Sequence, residues 1–208
     1  MSFSPFKGPF AQRIDEWEKL LVPMSDIFEE WLKCQRQWMY LESIFVGAED
    51  IRMQLPEEAK KFDAINKAFK GIMTATNAQP NVVKACTTDQ RLETLVSLGD
   101  RLVACQKSLT DYLDTKRNAF PRFFFLSNDE LLEILSEGKD PLRVQPFMKK
   151  CFEAVQKVEF TEQITMKTIV SVEGESVPLC KEIDPAETGA VEKWMLEFED
   201  VMKDSLLK

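Results

Sequence analysis

Apolar residues recur at steps of three and four from Pro9 to about Tyr40, through Ile14, Trp17, Leu20, Leu21, Met24, Ile27, Phe28, Trp31, Leu32, Trp38 and Met39. That spacing predicts an amphipathic helix. Pro23 falls inside it, so either two helices meet there or one long helix kinks, because proline lacks an amide donor and crowds the preceding turn. A loop is expected around Phe45 to Gln54. Leu55-Pro56-Glu57-Glu58 then reads as a helix start, with proline in the first turn and carboxylates at the positive end of the dipole. Phe62, Ile65, Phe69, Ile72 and Met73 mark its inward face.

The pattern breaks at Asn77 to Pro80, and a sub-boundary is expected near residues 77–88. A second long helix is predicted from about Thr88 to Arg117, with Leu92, Leu95, Leu102, Cys105, Leu109 and Tyr112 or Leu113 on one stripe. Gly99 shares that stripe. Glycine there costs about 1 kcal/mol of helix propensity, which close approach by another helix would offset, unless the residue is simply tolerated. Ser127-x-x-Glu130 has the form of a capping box ahead of Leu131, Leu132, Ile134 and Leu135. Gly138 is expected to end that helix.

A further helix is predicted from Pro146 to Val155, after which the period changes. ITMKTIV and SVPLCKEI, joined by SVEGE, read as a hairpin near residues 164–182 with its turn at Glu173 and Gly174. Thr188-Gly189 precedes a last helix bearing Val191, Trp194, Met195, Phe198 and Met202. The predicted fold class is therefore mainly α: an elongated multi-helix bundle or array with one small β-hairpin, the hairpin-bearing part covering about 158–208.

Composition narrows the function classes. The 208 residues are enough for one large domain or two small ones. A net charge of −8 argues against a general nucleic-acid or anionic-membrane binder, since either needs a concentrated basic surface. The five cysteines, Cys34, Cys86, Cys105, Cys151 and Cys180, are scattered and never form a C-x-x-C pair. They suggest reduced thiols in a cytosolic compartment rather than a disulfide frame or a zinc site. The amino terminus has no apolar signal region, and no window approaches the roughly 18 apolar residues of a membrane span. The chain starts without a disordered lead and stops within a helical pattern, so a piece of a longer polypeptide is expected.

Catalytic apparatus is hard to assemble from these residues. There is no histidine, the commonest proton shuttle near neutral pH. Gly138-Lys139 is the only Gly-Lys pair, it lacks the upstream loop of a nucleotide-binding motif, and Asp140 stands where a hydroxyl is required. Carboxylate clusters such as SNDE and EFED suit helix caps and solvated faces better than an acid/base pair. Neither a catalytic residue nor a cofactor or metal site is expected.

The aromatic clusters admit two readings. Trp31, Trp38, Tyr40 and Phe45 are most simply core, with an exposed docking patch as the alternative. In TKRNAFPRFFFLSNDELLEIL, residues 115–135, Phe123, Phe124 and Phe125 suggest a core corner between two helices. Lys116, Arg117 and Arg122 beside them read either as a helix C-terminal cation cluster or, for Arg122, as one half of an ion pair with a partner.

Two blocks carry a family resemblance. EEWLKCQRQWMYLESIF with QLPEEAKKFDAINKAF, and CQKSLTDYLDTKRNAFPRFFFLSNDELLEIL with VQPFMKKCFEAV, resemble the linker region of dynein heavy chains, which precedes the AAA+ motor ring. SVEGESVPL and VEKWMLEFEDVM fit the same pattern, so the resemblance covers residues 10 to 205. WMYLESIF and RNAFPRFFFLS are more similar to axonemal heavy chains than to the cytoplasmic one.

The resemblance implies a mechanical element, a helical lever that bends and straightens as the first AAA+ module binds and hydrolyses ATP. ATP and magnesium would then belong to the motor ring, with no cofactor in these residues. The implied partner is the AAA+ ring of the same heavy chain, with microtubules and other dynein chains engaged by regions outside residues 1–208, no nucleic acid and no membrane. The implied location is the cytoskeleton, in the axoneme of a cilium or flagellum. The family signature falls on Trp38, Tyr40, Phe45, Phe120, Pro121, Arg122, Phe123, Phe124 and Phe125. Phe120 to Leu126, with Arg122 at the edge, is expected to form a rigid joint, each buried Phe contributing about 1.5 to 3 kcal/mol. Two other readings of the residues are an α-helical adaptor with a peptide groove and an enzyme working with carboxylates alone.

Overall fold

The computed structural model describes residues 5, 6, 8–47, 49–138 and 140–207. After a short 3-10 turn, Gly8–Phe10, the helices α1 (Ala11–Gly47), α2 (Glu49–Gln54), α3 (Pro56–Ala78), α4 (Val82–Cys86) and α5 (Arg91–Ala119) follow in order. A second 3-10 turn, Pro121–Phe125, leads to α6 (Asn128–Glu137) and α7 (Pro141–Cys151). Strands β1 (Val155–Phe160), β2 (Met166–Ser171) and β3 (Ser176–Ile183) come next, then α8 (Pro185–Thr188) and α9 (Val191–Leu206). The fold is mainly α, with one small antiparallel sheet.

The chain divides into two compact units, Met1–Gly47 with Leu55–Lys107 and Ala48–Gln54 with Ser108–Lys208. The division thus falls inside α5, while residues 77–88 hold the end of α3 and the short helix α4.

In the first unit, α1 runs through Pro23 as a single helix, so two helices do not meet there. The expected loop at Phe45 is absent. Leu41, Ile44 and Phe45 continue the buried stripe of Met24, Ile27, Trp31 and Cys34, so the helix extends to Gly47. Helix α3 packs antiparallel along α1: Phe45 stacks on Phe62 at 5.3 Å and Trp38 tilts on Phe69 at 5.1 Å, so the pairing partner falls as the α1 position rises. Trp38 also donates its indole Nε1–H to Asn66 Oδ1 at 3.0 Å. The expected close approach at Gly99 is not found. A β-carbon placed there would meet only Gln37 Oε1, at an ordinary 3.9 Å, so Gly99 is a tolerated glycine.

In the second unit the hairpin gains a third strand, in the order β1-β2-β3, all antiparallel. Sequence reading runs a helix through Val155; instead α7 stops at Cys151, with Phe152 extended at φ −134°. The strand escapes detection because bulges at Val155/Lys157 and Glu159/Phe160 break the alternation that identifies a half-buried strand. The β2–β3 turn holds Gly174 at φ +88°, in the left-handed region that glycine occupies without penalty. Both sheet edges have an amide taken by a side chain from a neighbouring helix. Gln145 Oε1 accepts from Val158 N at 3.1 Å, and Ser205 Oγ accepts from Cys180 N at 2.9 Å, which blunts the edges as pairing templates.

The capping box at the start of α6 is present: Ser127 Oγ accepts from Glu130 N, and Glu130 Oε2 accepts from Ser127 N at 2.9 Å. Gly138 ends α6 as expected but serves a second purpose. A β-carbon on it would lie 2.9 Å from Val191 Cβ and 3.1 Å from the Ile134 carbonyl oxygen. Gly138, not Gly99, is the residue whose missing side chain lets another helix approach.

Candidate functional site

The site is the corner at which α5 turns into α6. Phe120 leaves the helix in an extended conformation, φ −133°, and Pro121 opens the 3-10 turn, where its missing N–H forfeits no bond. Phe123 N donates to Phe120 O at 3.0 Å and Leu126 N to Phe123 O at 3.1 Å. Three residues per turn align positions i and i+3 on one face. Phe120, Phe123 and Leu126 accordingly point inward and are buried.

The same period turns Phe124 and Phe125 outward, at 61% and 70% exposure, and Pro121 is exposed beside them. The triple-phenylalanine corner therefore has one buried member of the three, Phe123, with Phe120 as its mate at 4.9 Å, edge to face. This corrects the expectation that all three pack into the core. The aromatic line continues from Phe120 to Phe152 at 6.1 Å and from Phe152 to Phe198 on α9 at 5.1 Å.

Two arginines tie this apolar line to its surroundings. Arg117, buried at 8% exposure, donates from Nη2 to Asn128 Oδ1 at 2.7 Å and to the Leu126 carbonyl at 3.3 Å, and from Nη1 to Asp114 Oδ1 at 3.2 Å. It spans the corner from the last turn of α5 to the first residue of α6. Arg122 donates from Nη1 to the Cys151 carbonyl at 3.0 Å, in the last turn of α7, and pairs with Glu199 of α9. Its guanidinium carbon lies 4.8 Å from the Phe152 ring centroid, a cation–π arrangement. The carboxylate partner anticipated for Arg122 thus lies in the same chain.

Electrostatics follow this geometry. Burial pushes the Glu199 carboxyl up, but the combined hydrogen bonds from Lys203 and Arg122 outweigh it and hold the group below its ordinary value. Glu130 is held down to about 2 by its bond from Lys150, helped by the amide and hydroxyl of Ser127. Lys116 pairs with Glu192 and lies over the Tyr112 ring, and burial, with Glu192 adding to it, pushes the Tyr112 hydroxyl up to about 12. On α9, Trp194 is fully buried and donates Nε1–H to the Gly138 carbonyl at 3.3 Å.

Of the residues singled out in the sequence, the structure brings Phe120, Phe123 and Arg122 together. Trp38, Tyr40 and Phe45 belong to the first unit, where Trp38 and Phe45 pack on α3 and Tyr40 is half-buried. Sequence reading gave Arg117 only as a helix C-terminal cation, without its burial and partners, and missed Phe152 and Glu199 as corner residues. Arg117 was findable: it stands at the next four-residue step after Leu109 and Leu113, on the buried stripe, where a charged residue must find partners.

Among the described residues, no group of three His, Cys, Asp or Glu side chains is placed to hold a metal ion. Burial pushes the thiols of Cys34 and Cys151 up to about 11, which keeps both protonated near neutral pH. Lys139 lies outside the described residues. No described helix is long and apolar enough to cross a membrane.

A family model described as dynein heavy chain, N-terminal region 2, matches residues 1–208. Dynein axonemal heavy chain 1 of Homo sapiens is 47% identical over 206 residues, covering 99% of this chain and 5% of the relative. Dynein axonemal heavy chain 12 of Rattus norvegicus is 48% identical over 207 residues, covering 99% of this chain and 7% of the relative. Dynein axonemal heavy chain 3 of Homo sapiens is 45% identical over 207 residues, with 99% and 5% covered. The chain thus spans a small part of the length of the curated relatives that it matches.

Proposed function

The chain belongs to the dynein heavy chain family, in N-terminal region 2, and from that membership we propose that residues 1–208 are part of the mechanical linker of an axonemal heavy chain. The linker bends and straightens as the AAA+ ring of the same polypeptide binds and hydrolyses ATP, with magnesium, at sites outside these residues. Microtubules and other dynein chains are engaged by other regions of the motor. The names of the relatives support an axonemal location, and the motility served is the beating of a cilium or flagellum.

The observation that carries the mechanical reading is the doubly pinned corner. A lever transmits force only where its joints hold their angle, and the corner between α5 and α6 is fixed by a buried aromatic line with an arginine on each side. Buried side chains in close-packed surroundings resist small displacements. The joint proposed is Phe120, Phe123 and Leu126 with Arg117 and Arg122; bending occurs at a less packed connection.

Gliding of microtubules over the whole heavy chain tests this. Arg122→Ala, which loosens the corner while leaving the aromatic line in place, is expected to slow gliding while ATP turnover persists. Gliding at the unaltered speed, from a variant whose corner has measurably lost stability, would sink the reading.

A further inference from the structure

Helix α1 has two apolar stripes. One is buried in the first unit. The other comprises Trp17, Leu21, Phe28, Leu32, Met39 and Val46, each between 41% and 58% exposed. At 100° per residue these six positions fall within about 60° of one another around the helix, and they extend for about 44 Å along it. Scattered surface apolar residues need no explanation, but a straight seam of this length does.

The spacing identifies what fits. The steps are four and seven: Trp17 to Leu21, Leu21 to Phe28, Phe28 to Leu32, Leu32 to Met39 and Met39 to Val46. Seven-residue steps keep a seam in line with a second helix lying alongside, whose side chains enter the holes between these residues. Midway, Phe28, Leu32 and Gln35 of α1 with Pro80, Val82 and Ala85 line a groove of about 310 Å³, room for a large side chain of that helix. Exposed Glu29 and Arg36 border the seam seven residues apart, so a basic residue opposite the first and an acidic one opposite the second would suit a helix lying there. The order of those two charges sets its direction.

We propose that this seam is an intramolecular docking surface, covered in the whole protein by an amphipathic helix of the same polypeptide from outside residues 1–208. The length of the relatives favours that source over a second copy: the matched stretch is 5% of the human heavy chain 1, leaving the great majority of the polypeptide available to cover it. This inference rests on family membership and not on the corner, so its failure leaves the joint reading standing.

The test uses the full-length heavy chain. A photo-crosslinking amino acid replaces Leu32, Met39 or, as a control away from the seam, Lys33, and equal amounts of isotopically light and heavy chains are mixed before irradiation. The expected product is a link from Leu32 and Met39 to one helical peptide outside residues 1–208, joining light to light and heavy to heavy. Links between light and heavy chains, links to another polypeptide, or no link at all would each overturn the proposal. As a milder check on the same protein, a thiol at Met39→Cys should react with maleimide about tenfold or more slowly than one at Lys33→Cys, because a covered thiol reacts only while the cover is open. Equal rates would overturn it as well.

Discussion

Arg122 grips Glu199 with two nitrogens, Nε 3.2 Å from one carboxylate oxygen and Nη2 3.3 Å from the other. The two residues are 77 positions apart, and through them the turn after α5 and the middle of α9 share one ion pair. A lysine in place of Arg122 would keep the charge but lose the forked geometry and the stacking on Phe152.

Arg122→Ala is expected to destabilise the 208-residue chain by about 2 kcal/mol, through loss of the bond to the Cys151 carbonyl and of the bidentate pair. Arg122→Lys should recover less than half of that loss. Urea denaturation of Arg122→Ala, Glu199→Gln and the double variant gives the coupling energy. A coupling near zero would show that the two side chains lie together without contributing to stability.

The period-three alternation at the corner makes a sharper prediction. Phe123→Ala should cost about 3–5 kcal/mol, as for other buried phenylalanines. Phe124→Ala, one position on and largely exposed, should stay within about 0.5 kcal/mol of the unaltered chain. Urea midpoints of the two variants measure this directly; similar losses at both positions would mean that the turn presents its residues differently.

How much of this was readable beforehand depends on the period of each element. The long helices were legible because their stripes repeat every three or four residues over many turns, and the capping box at Ser127 was legible because its chemistry is local. At Phe45 the buried stripe of Leu41 and Ile44 continues into the expected loop, so the helix runs on to Gly47. β1 was hidden by bulges that displaced Val158 from simple alternation. For the corner, composition flagged the right residues, but a run of three phenylalanines does not say which one is inside. That depends on a 3-10 turn only five residues long, and the partners Phe152 and Glu199 are distant in sequence and leave no local signal.

Acid should remove a stabilising contribution that Glu130 makes near neutral pH. Its folded pKa is lowered to about 2, with Lys150 the largest cause, so its contribution is fully present above the unfolded value, near 4.5, and disappears as pH falls from there toward 2. Glu130→Gln is expected to flatten the fall in denaturation midpoint over that window while leaving the slope above pH 5 unchanged. An identical acid profile in both proteins would contradict the assignment.

The two buried glycines should respond to alanine with opposite signs. At Gly99, mid-helix in α5, the added methyl meets only Gln37 Oε1 at 3.9 Å, and alanine recovers about 0.5–1 kcal/mol of helix propensity. At Gly138 the methyl would meet Val191 Cβ at 2.9 Å and the Ile134 carbonyl at 3.1 Å. Neither atom is the end of a flexible side chain, so the start of α9 must shift away from the end of α6. That shift would also draw Trp194 from the Gly138 carbonyl that its indole uses. Overpacking of this kind costs about 1–3 kcal/mol. Thermal denaturation of Gly99→Ala and Gly138→Ala should therefore move the midpoint up in the first and down in the second, with the Trp194 fluorescence altered only in the second. A rise in both would mean that α9 yields freely at Val191 and that the close approach does not fix its position.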